Sequence, residues 1–316
     1  MRYAIMDLGT NTFHLLVVEG YEDRSFRVLH KAEEFVRLGE EGLDRIGVNA
    51  YRRGLEQLRR FAAVIQELQA DRIIGFGTAA VRTAANGQEF IDDAIKVCPM
   101  EFHRIGGEEE AELIYLGVRQ AVPLDQQPVL IMDIGGGSVE FIVANRSQIL
   151  WKKSLPLGSS VLRQQFHQYE PIRANEQVRM INHLMDVFGK CCNEVRALHP
   201  SRLVGASGSF DTLAALYTEN LLGRPFNSFE LSTEIPMRAF YVLSERILSA
   251  PLEERLKMKG MPWFRAETMP VSVILMGYVI EMLRLHRITR SAFALKEGAL
   301  WRLLNETQPQ AEQAGA

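Results

Sequence analysis

Two segments of this chain read almost alike, and that repetition restricts the fold more than any other feature. The first runs Tyr3-Ala4-Ile5-Met6-Asp7-Leu8-Gly9-Thr10-Asn11-Thr12-Phe13-His14-Leu15-Leu16-Val17-Val18. The second runs Val129-Leu130-Ile131-Met132-Asp133-Ile134-Gly135-Gly136-Gly137-Ser138-Val139-Glu140-Phe141-Ile142-Val143. Each is an apolar run, an aspartate, a loop of small or hydroxylated residues, and a second apolar run. The runs suit β-strands and the loop suits a tight hairpin turn. Two copies, 126 residues apart from Asp7 to Asp133, predict two related domains that each open on the same hairpin.

Strand and helix patterns alternate through the rest of the chain, which predicts an α/β fold. The stretch 51–69 carries Leu55, Leu58, Ala62, Ile65 and Leu68 at helical spacing. Residues 72–77 read as a strand, and 78–85 and 88–97 as helices broken at Asn86-Gly87. A further helix over 108–121 is acidic in its first turn. In the second half, 175–198 reads as one long helix, and 202–209 as a strand entering a Gly/Ser turn with a helix from Asp211. An apolar helix over 269–286, a strand over 291–295 and a helix over 297–305 close the fold. The proline-bounded stretch 123–128 is the expected boundary, giving domains 1–124 and 125–306 with a disordered tail at 307–316.

Composition removes several function classes. The 316 residues hold 36 Lys+Arg against 39 Asp+Glu, a formal net charge of −3. No global basic excess favours nucleic acid, so an anionic ligand needs a local cationic pocket. Cys98, Cys191 and Cys192 form neither a disulfide framework nor a zinc-site spacing. The start of the chain has no signal-peptide pattern, and the apolar stretch 269–280 is too short to span a bilayer. The expectation is a cytoplasmic protein without nucleic-acid or membrane partners.

The two loops are chemically suited to anions. Gly135, Gly136 and Gly137 can turn successive N–H groups to one side, and Ser138 adds a hydroxyl donor. Gly9, Thr10, Asn11 and Thr12 offer the same with more help from side chains. Either loop alone also serves as an ordinary hairpin turn. As a matched pair, each after an aspartate, they describe two clamps gripping a phosphoanhydride from both sides. Asp7 and Asp133 are hard oxygen donors of the kind Mg²⁺ takes, through water. The helix start Gly106-Gly107-Glu108-Glu109-Glu110 places carboxylates where a helix dipole keeps them ionised. Such a group can align a water as general base, or simply complement the dipole.

These residues together resemble the exopolyphosphatase / guanosine pentaphosphate phosphohydrolase family, from Met1 to about Leu304. Asp7 to His14 is similar to its first phosphate loop, Asp133 to Ser138 to its second, and Gly205-Ala206-Ser207-Gly208-Ser209 to a third glycine turn. The resemblance implies two duplicated ribonuclease-H-like, actin-like ATPase domains with an interdomain cleft. Glu109-Glu110-Ala111 matches the family's catalytic signature, which assigns Glu110, with Glu109 in that place if the helix register differs. Arg82 in the segment 78–86, Arg37 in 36–39 and Arg265 in 260–267 match its cleft-lining segments. Two departures stand out: Lys296-Glu297-Gly298 where the family has Arg-Glu-Gly, and Thr10 and Thr12 in place of serines. Longer relatives add C-terminal domains.

The resemblance implies an exopolyphosphatase that releases orthophosphate from inorganic polyphosphate with Mg²⁺ or another divalent cation, as a homodimer. Three alternatives stay open: a guanosine pentaphosphate 5′-phosphohydrolase, a phosphotransferase to ADP or a metabolite, and a non-catalytic nucleotide-binding regulator.

Overall fold

The computed structural model describes residues 1–306, so the expected tail at 307–316 lies outside the described residues. The chain divides into two units, one comprising Met1–Gly117 and the C-terminal segment from Leu295, the other Val118–Ala294.

In unit 1 the elements are β1 (Arg2–Leu8), β2 (Thr12–Gly20), β3 (Phe26–Phe35), α1 (Val48–Glu67), β4 (Arg72–Gly77), α2 (Ala79–Thr83), α3 (Gly87–Val97), β5 (Glu101–Arg104) and α4 (Gly107–Ala121), whose last residues belong to unit 2. The sheet order is β3-β2-β1-β4-β5. β1 pairs antiparallel with β2 and parallel with β4. As a central strand it is mostly buried on both faces, whereas the edge strand β3 has no fully buried residue and exposes charge, which discourages edge-to-edge pairing.

Unit 2 contains β6 (Val129–Ile134), β7 (Val139–Ala144), β8 (Ile149–Leu155), α5 (Ser159–Phe166), α6 (Ala174–Val187), α7 (Gly189–Ala197), β9 (Leu203–Ala206) and α8 (Ser207–Leu216). After a π-helical turn at Tyr217–Leu221 come β10 (Ser232–Ile235), α9 (Met237–Ser249), α10 (Leu252–Arg255), α11 (Met269–Leu283) and β11 (Ile288–Ser291). The sheet order is β10-β11-β9-β6-β7-β8. Leaving out β10, this is the order and direction of unit 1: an antiparallel triplet followed by two parallel strands. The duplicated hairpins also share register. Asp7 faces His14 and Leu8 faces Phe13; Asp133 faces Glu140 and Ile134 faces Val139.

Each unit has its own core. In unit 1 the apolar face of α1 (Ala50, Leu58, Phe61, Ile65) joins Met6, Leu8, Phe13 and Phe90. Gly54 lets the Phe90 ring approach to 2.9 Å of where a Cβ would stand. In unit 2 α11 is buried along most of its circumference, and Met258, Met261, Met269 and Met276 serve as core filler. Cys98, Cys191 and Cys192 are buried free thiols, and burial pushes the Cys98 thiol up to about 11.

Several boundaries differ from the sequence expectation. The stretch 175–198 is interrupted at Phe188, before Gly189, where the buried Phe188 ring packs 4.7 Å from Phe141. The helix expected from Asp211 begins at Ser207, and the last strand is Ile288–Ser291, because the Ser291 hydroxyl turns the chain at Phe293. The division between units also differs from 124/125. The closing helix α12 (Leu295–Glu306) belongs to unit 1, packed on β1. At Gly298 a Cβ would stand 1.8 Å from the Leu113 carbonyl oxygen, so α12 meets α4 nearly backbone to backbone. Arg302 adds contacts to Glu109 at 3.5 Å and Glu112 at 3.8 Å.

A fully buried cation marks unit 2. Arg255 is 0% exposed and donates to both carboxylate oxygens of Glu170, at 2.8 and 2.7 Å, and to the Ala266 and Ala250 carbonyls. Removing one partner of such a pair strands the other charge. Glu170→Ala is expected to cost about 3 kcal/mol, measured by urea denaturation against wild type.

Candidate active site

Both loops are built on one principle. A trans peptide points its C=O and the following N–H in opposite directions, so a carbonyl tied down on one side aims the next amide to the other. In unit 1 the Thr10 carbonyl accepts from Gly39 N (3.1 Å), and the Asn11 carbonyl accepts from Val36 N (2.9 Å) and Arg37 N (2.8 Å). The amides of Asn11 and Thr12 are thereby directed away from the 36–39 segment. In unit 2 the Gly135 carbonyl accepts from Ser159 N (2.9 Å) and the Gly136 carbonyl from Ser160 N (3.0 Å), at the N-terminus of α5. The amides of Gly136 and Gly137 are directed away from α5 in the same manner. Each turn closes identically, Gly9 N to Thr12 O and Gly135 N to Ser138 O, both at 3.1 Å.

Beside the first loop stands one of the predicted arginines, Arg37. Arg37 has a left-handed backbone (φ 55°) that bends 36–39 onto the loop, and its guanidinium lies 5.7 Å over the Phe35 ring. Gly39 is required there, since a Cβ would sit 2.5 Å from Thr10 Cγ2. Arg53 on α1 braces the segment by donating to the Val36 carbonyl (3.0 Å) and to Glu40 (2.5 Å). Thr12 Oγ1 and His14 Nε2 are 3.0 Å apart.

Arg82, in the last turn of α2, donates through Nη1 to the Ile105 carbonyl (2.9 Å) and to Glu110 Oε2 (3.0 Å). Glu110 is in the first turn of α4, its side chain 10% exposed. Its neighbour Glu109 is half exposed and turns to Arg302 on α12. The two candidates therefore point to different partners, and the helix register selects Glu110 as the carboxylate fixed beside Arg82.

In unit 2, Asp133 is buried and accepts from Ser207 Oγ at 2.6 Å. Ser207 holds a left-handed φ of 67° at the start of α8. Gly208 lies against Arg265, whose Nη2 would be 1.9 Å from a Cβ there. Arg265 is 7% exposed and lies 5.5 Å over the Phe264 ring. The third glycine turn thus links Asp133 to Arg265 within one unit. Ser207 was not singled out by sequence reasoning. Its signal was its place in the Gly/Ser turn, but the left-handed backbone that aims its hydroxyl at Asp133 arises only in the folded chain. Lys296 and Glu297, at the departure from Arg-Glu-Gly, are both buried in unit 1, with Glu297 3.9 Å from Lys31.

The chain matches the Ppx/GppA phosphatase family over residues 17–307. This chain belongs to the Ppx/GppA phosphatase family. An exopolyphosphatase structure from Cytophaga hutchinsonii is similar over 97% of this chain and 98% of that one, with 35% identity and a TM-score of 0.93. A guanosine-5′-triphosphate,3′-diphosphate pyrophosphatase of Aeromonas hydrophila is 30% identical over 96% of this chain, which spans 59% of that protein's length. The Ppx/GppA family member of Aquifex aeolicus shares the fold with a TM-score of 0.80 at 21% identity. The predicted α/β duplicated architecture is that of the Ppx/GppA family. No helix among the described residues is long and apolar enough to cross a membrane.

In this Ppx/GppA member the second loop depends on Gly158. A Cβ there would lie 2.3 Å from Gly136 O and from Gly137 C, backbone atoms that cannot yield alone. Gly158→Ala is expected to destabilise the protein by about 1–3 kcal/mol and to accelerate hydrogen exchange at the Ser159 and Ser160 amides, which hold the Gly135 and Gly136 carbonyls. Unchanged exchange at those amides would contradict the anchoring role of α5.

Proposed function

We propose that this protein hydrolyses the terminal phosphoanhydride bond of inorganic polyphosphate and releases orthophosphate. The observation that carries the reading is Glu110, a largely buried carboxylate at a helix start held 3.0 Å from Arg82. The likeness to the Cytophaga exopolyphosphatase supports the substrate class.

The amides of Asn11, Thr12, Gly136 and Gly137, with the hydroxyls of Thr10, Thr12 and Ser138, are assigned to the oxygens of the terminal phosphate, while the Gly9 and Gly135 amides close the turns. Glu110 aligns a water molecule and accepts its proton as the water oxygen bonds to phosphorus. The bridging P–O bond breaks, and its electron pair leaves with the shortened polyphosphate. Arg82, Arg37 and Arg265 offset charge on the equatorial oxygens and on the remaining polyanion. The pairing of Arg82 with Glu110 gives this arginine a second task, holding the base in place until the phosphate competes for the guanidinium.

Asp7 and Asp133 are each chemically suited to a hydrated Mg²⁺. Asp7 and Asp133 supply hard carboxylate oxygens, and among the described residues no cluster of three or more His, Cys, Asp or Glu converges. Water and phosphate oxygens would complete the shell, as Mg²⁺ commonly requires. When bound, the cation would neutralise charge on the leaving phosphates.

The second reading keeps the same chemistry with guanosine pentaphosphate as substrate, favoured by the 30% identity to the Aeromonas pyrophosphatase. Comparing kcat/KM on polyphosphate and on the nucleotide decides between them. ATP formed on addition of ADP would instead indicate phosphotransfer. Glu110→Gln is expected to lower turnover by about 10²–10⁴ with polyphosphate binding retained. Phosphate release near the wild-type rate would remove Glu110 from the mechanism, and binding without turnover in the wild type would favour a regulatory protein.

A further inference from the structure

Away from the residues assigned to hydrolysis, unit 1 carries a groove of about 360 Å³ that joins three guanidinium groups to apolar surface. Arg45 precedes α1, while Arg52 and Arg59 lie on it. Val48, Arg52, Leu55 and Arg59 follow at spacings of four, three and four, so they form one stripe along the helix. Arg52 and Arg59 stand about 10 Å apart along its axis.

The charge in this stripe is sorted. Among the described residues, the side chains of Arg45, Arg52 and Arg59 have no ion-pair or hydrogen-bond partner. Arg53 and Arg60, each one position further on and turned to another face, are paired with Glu40 and Glu56. Within the groove three cations face one carboxylate, Glu89. The Glu41 carboxylate lies against Gly47 at the start of α1, so the helix dipole is already answered and the arginines carry the attraction.

The walls are fixed independently of those arginines. The Asn86 side chain donates to the Ile46 carbonyl (3.0 Å) and accepts from the Ile46 amide (2.9 Å). The Tyr51 hydroxyl donates to Asp93 (2.9 Å), with its ring edge-on to Phe90. A preorganised groove holding unpaired guanidinium groups has the form of a ligand site rather than of a solvated helix face.

We propose that this groove binds a nucleotide, its phosphates on Arg45, Arg52 and Arg59 and its base over Val48 and Leu55. An inorganic polyphosphate would satisfy the arginines but leave Val48, 86% exposed, and Leu55 uncovered. A nucleoside phosphate covers both kinds of surface, and Glu89 can accept from N–H groups on the edge of a base. The volume lies within the range of small-ligand sites.

The test uses the full chain and does not depend on hydrolysis. GDP is titrated calorimetrically into wild type and into an Arg52→Ala, Arg59→Ala double variant, with inorganic tripolyphosphate as comparison. GDP is expected to bind the wild type saturably and to lose at least about tenfold in affinity in the double variant. A Val48→Ser variant is expected to weaken GDP binding and leave tripolyphosphate unchanged, because tripolyphosphate has no part that rests on Val48 and Leu55. Both arginine substitutions are at exposed positions, so the melting temperature and GDP-free phosphate release should stay near wild type. Identical GDP isotherms, or no saturable GDP binding, would overturn the proposal. So would GDP binding that Val48→Ser leaves unchanged, which marks a plain anion site, or a fall in GDP-free polyphosphate turnover, which marks an extension of the substrate path. A Glu110→Gln variant that stays active while GDP binding behaves as expected would sink the hydrolytic mechanism and leave this groove standing.

Discussion

The planarity of the peptide bond governs this protein's candidate site. Both hairpin loops owe their form to carbonyls drawn to one side, by the 36–39 backbone in unit 1 and by the start of α5 in unit 2. Because each amide must then face the other way, two unrelated supports produce the same row of donors. Small residues are needed for this at defined places. Gly39 admits Thr10, and Gly158 admits the second loop, where any side chain would meet backbone. The chemistry of the loops is therefore set by what packs behind them as much as by their own residues.

The same dependence on backing elements holds for the charged groups. Glu110 is fixed beside Arg82, while α12 engages Glu109 through Arg302. A run of three glutamates at the start of α4 is thus divided among different partners, and one carboxylate is left largely buried. In unit 2 the turn entering α8 performs a comparable task, with Ser207 bonded to Asp133 and Gly208 making room for Arg265. In both units a charged side chain is thus held in place by a partner from a distant segment. The groove on α1 differs in kind, since its walls are locked and, among the described residues, its guanidinium groups have no partners.

Much of the fold was legible because the repeated hairpin has an unmistakable pattern. The shared register of Asp7 with His14 and Asp133 with Glu140 follows from equal loop lengths. β4 was legible to the residue, since its apolar run is bounded by polar residues and a helix start. Other features were hidden. β3 and β8 are edge strands whose exposed faces carry charges, so their alternation resembles loop composition. The interruption at Phe188 leaves helical dihedrals nearly intact and breaks no periodicity. The return of α12 to unit 1 depends on a close approach at Gly298, which no local pattern announces.

By itself the sequence determined the duplicated α/β architecture, the two glycine- and hydroxyl-rich loops and the acidic start of α4, because strand alternation, turn chemistry and helix capping are local properties. The tertiary structure decided which glutamate sits beside Arg82, that Ser207 reaches Asp133, and that the arginines of α1 divide into a paired face and an unpaired one. Those outcomes depend on which side chains from distant segments come within hydrogen-bonding distance, and that distance is fixed only once the helices have packed on their sheets.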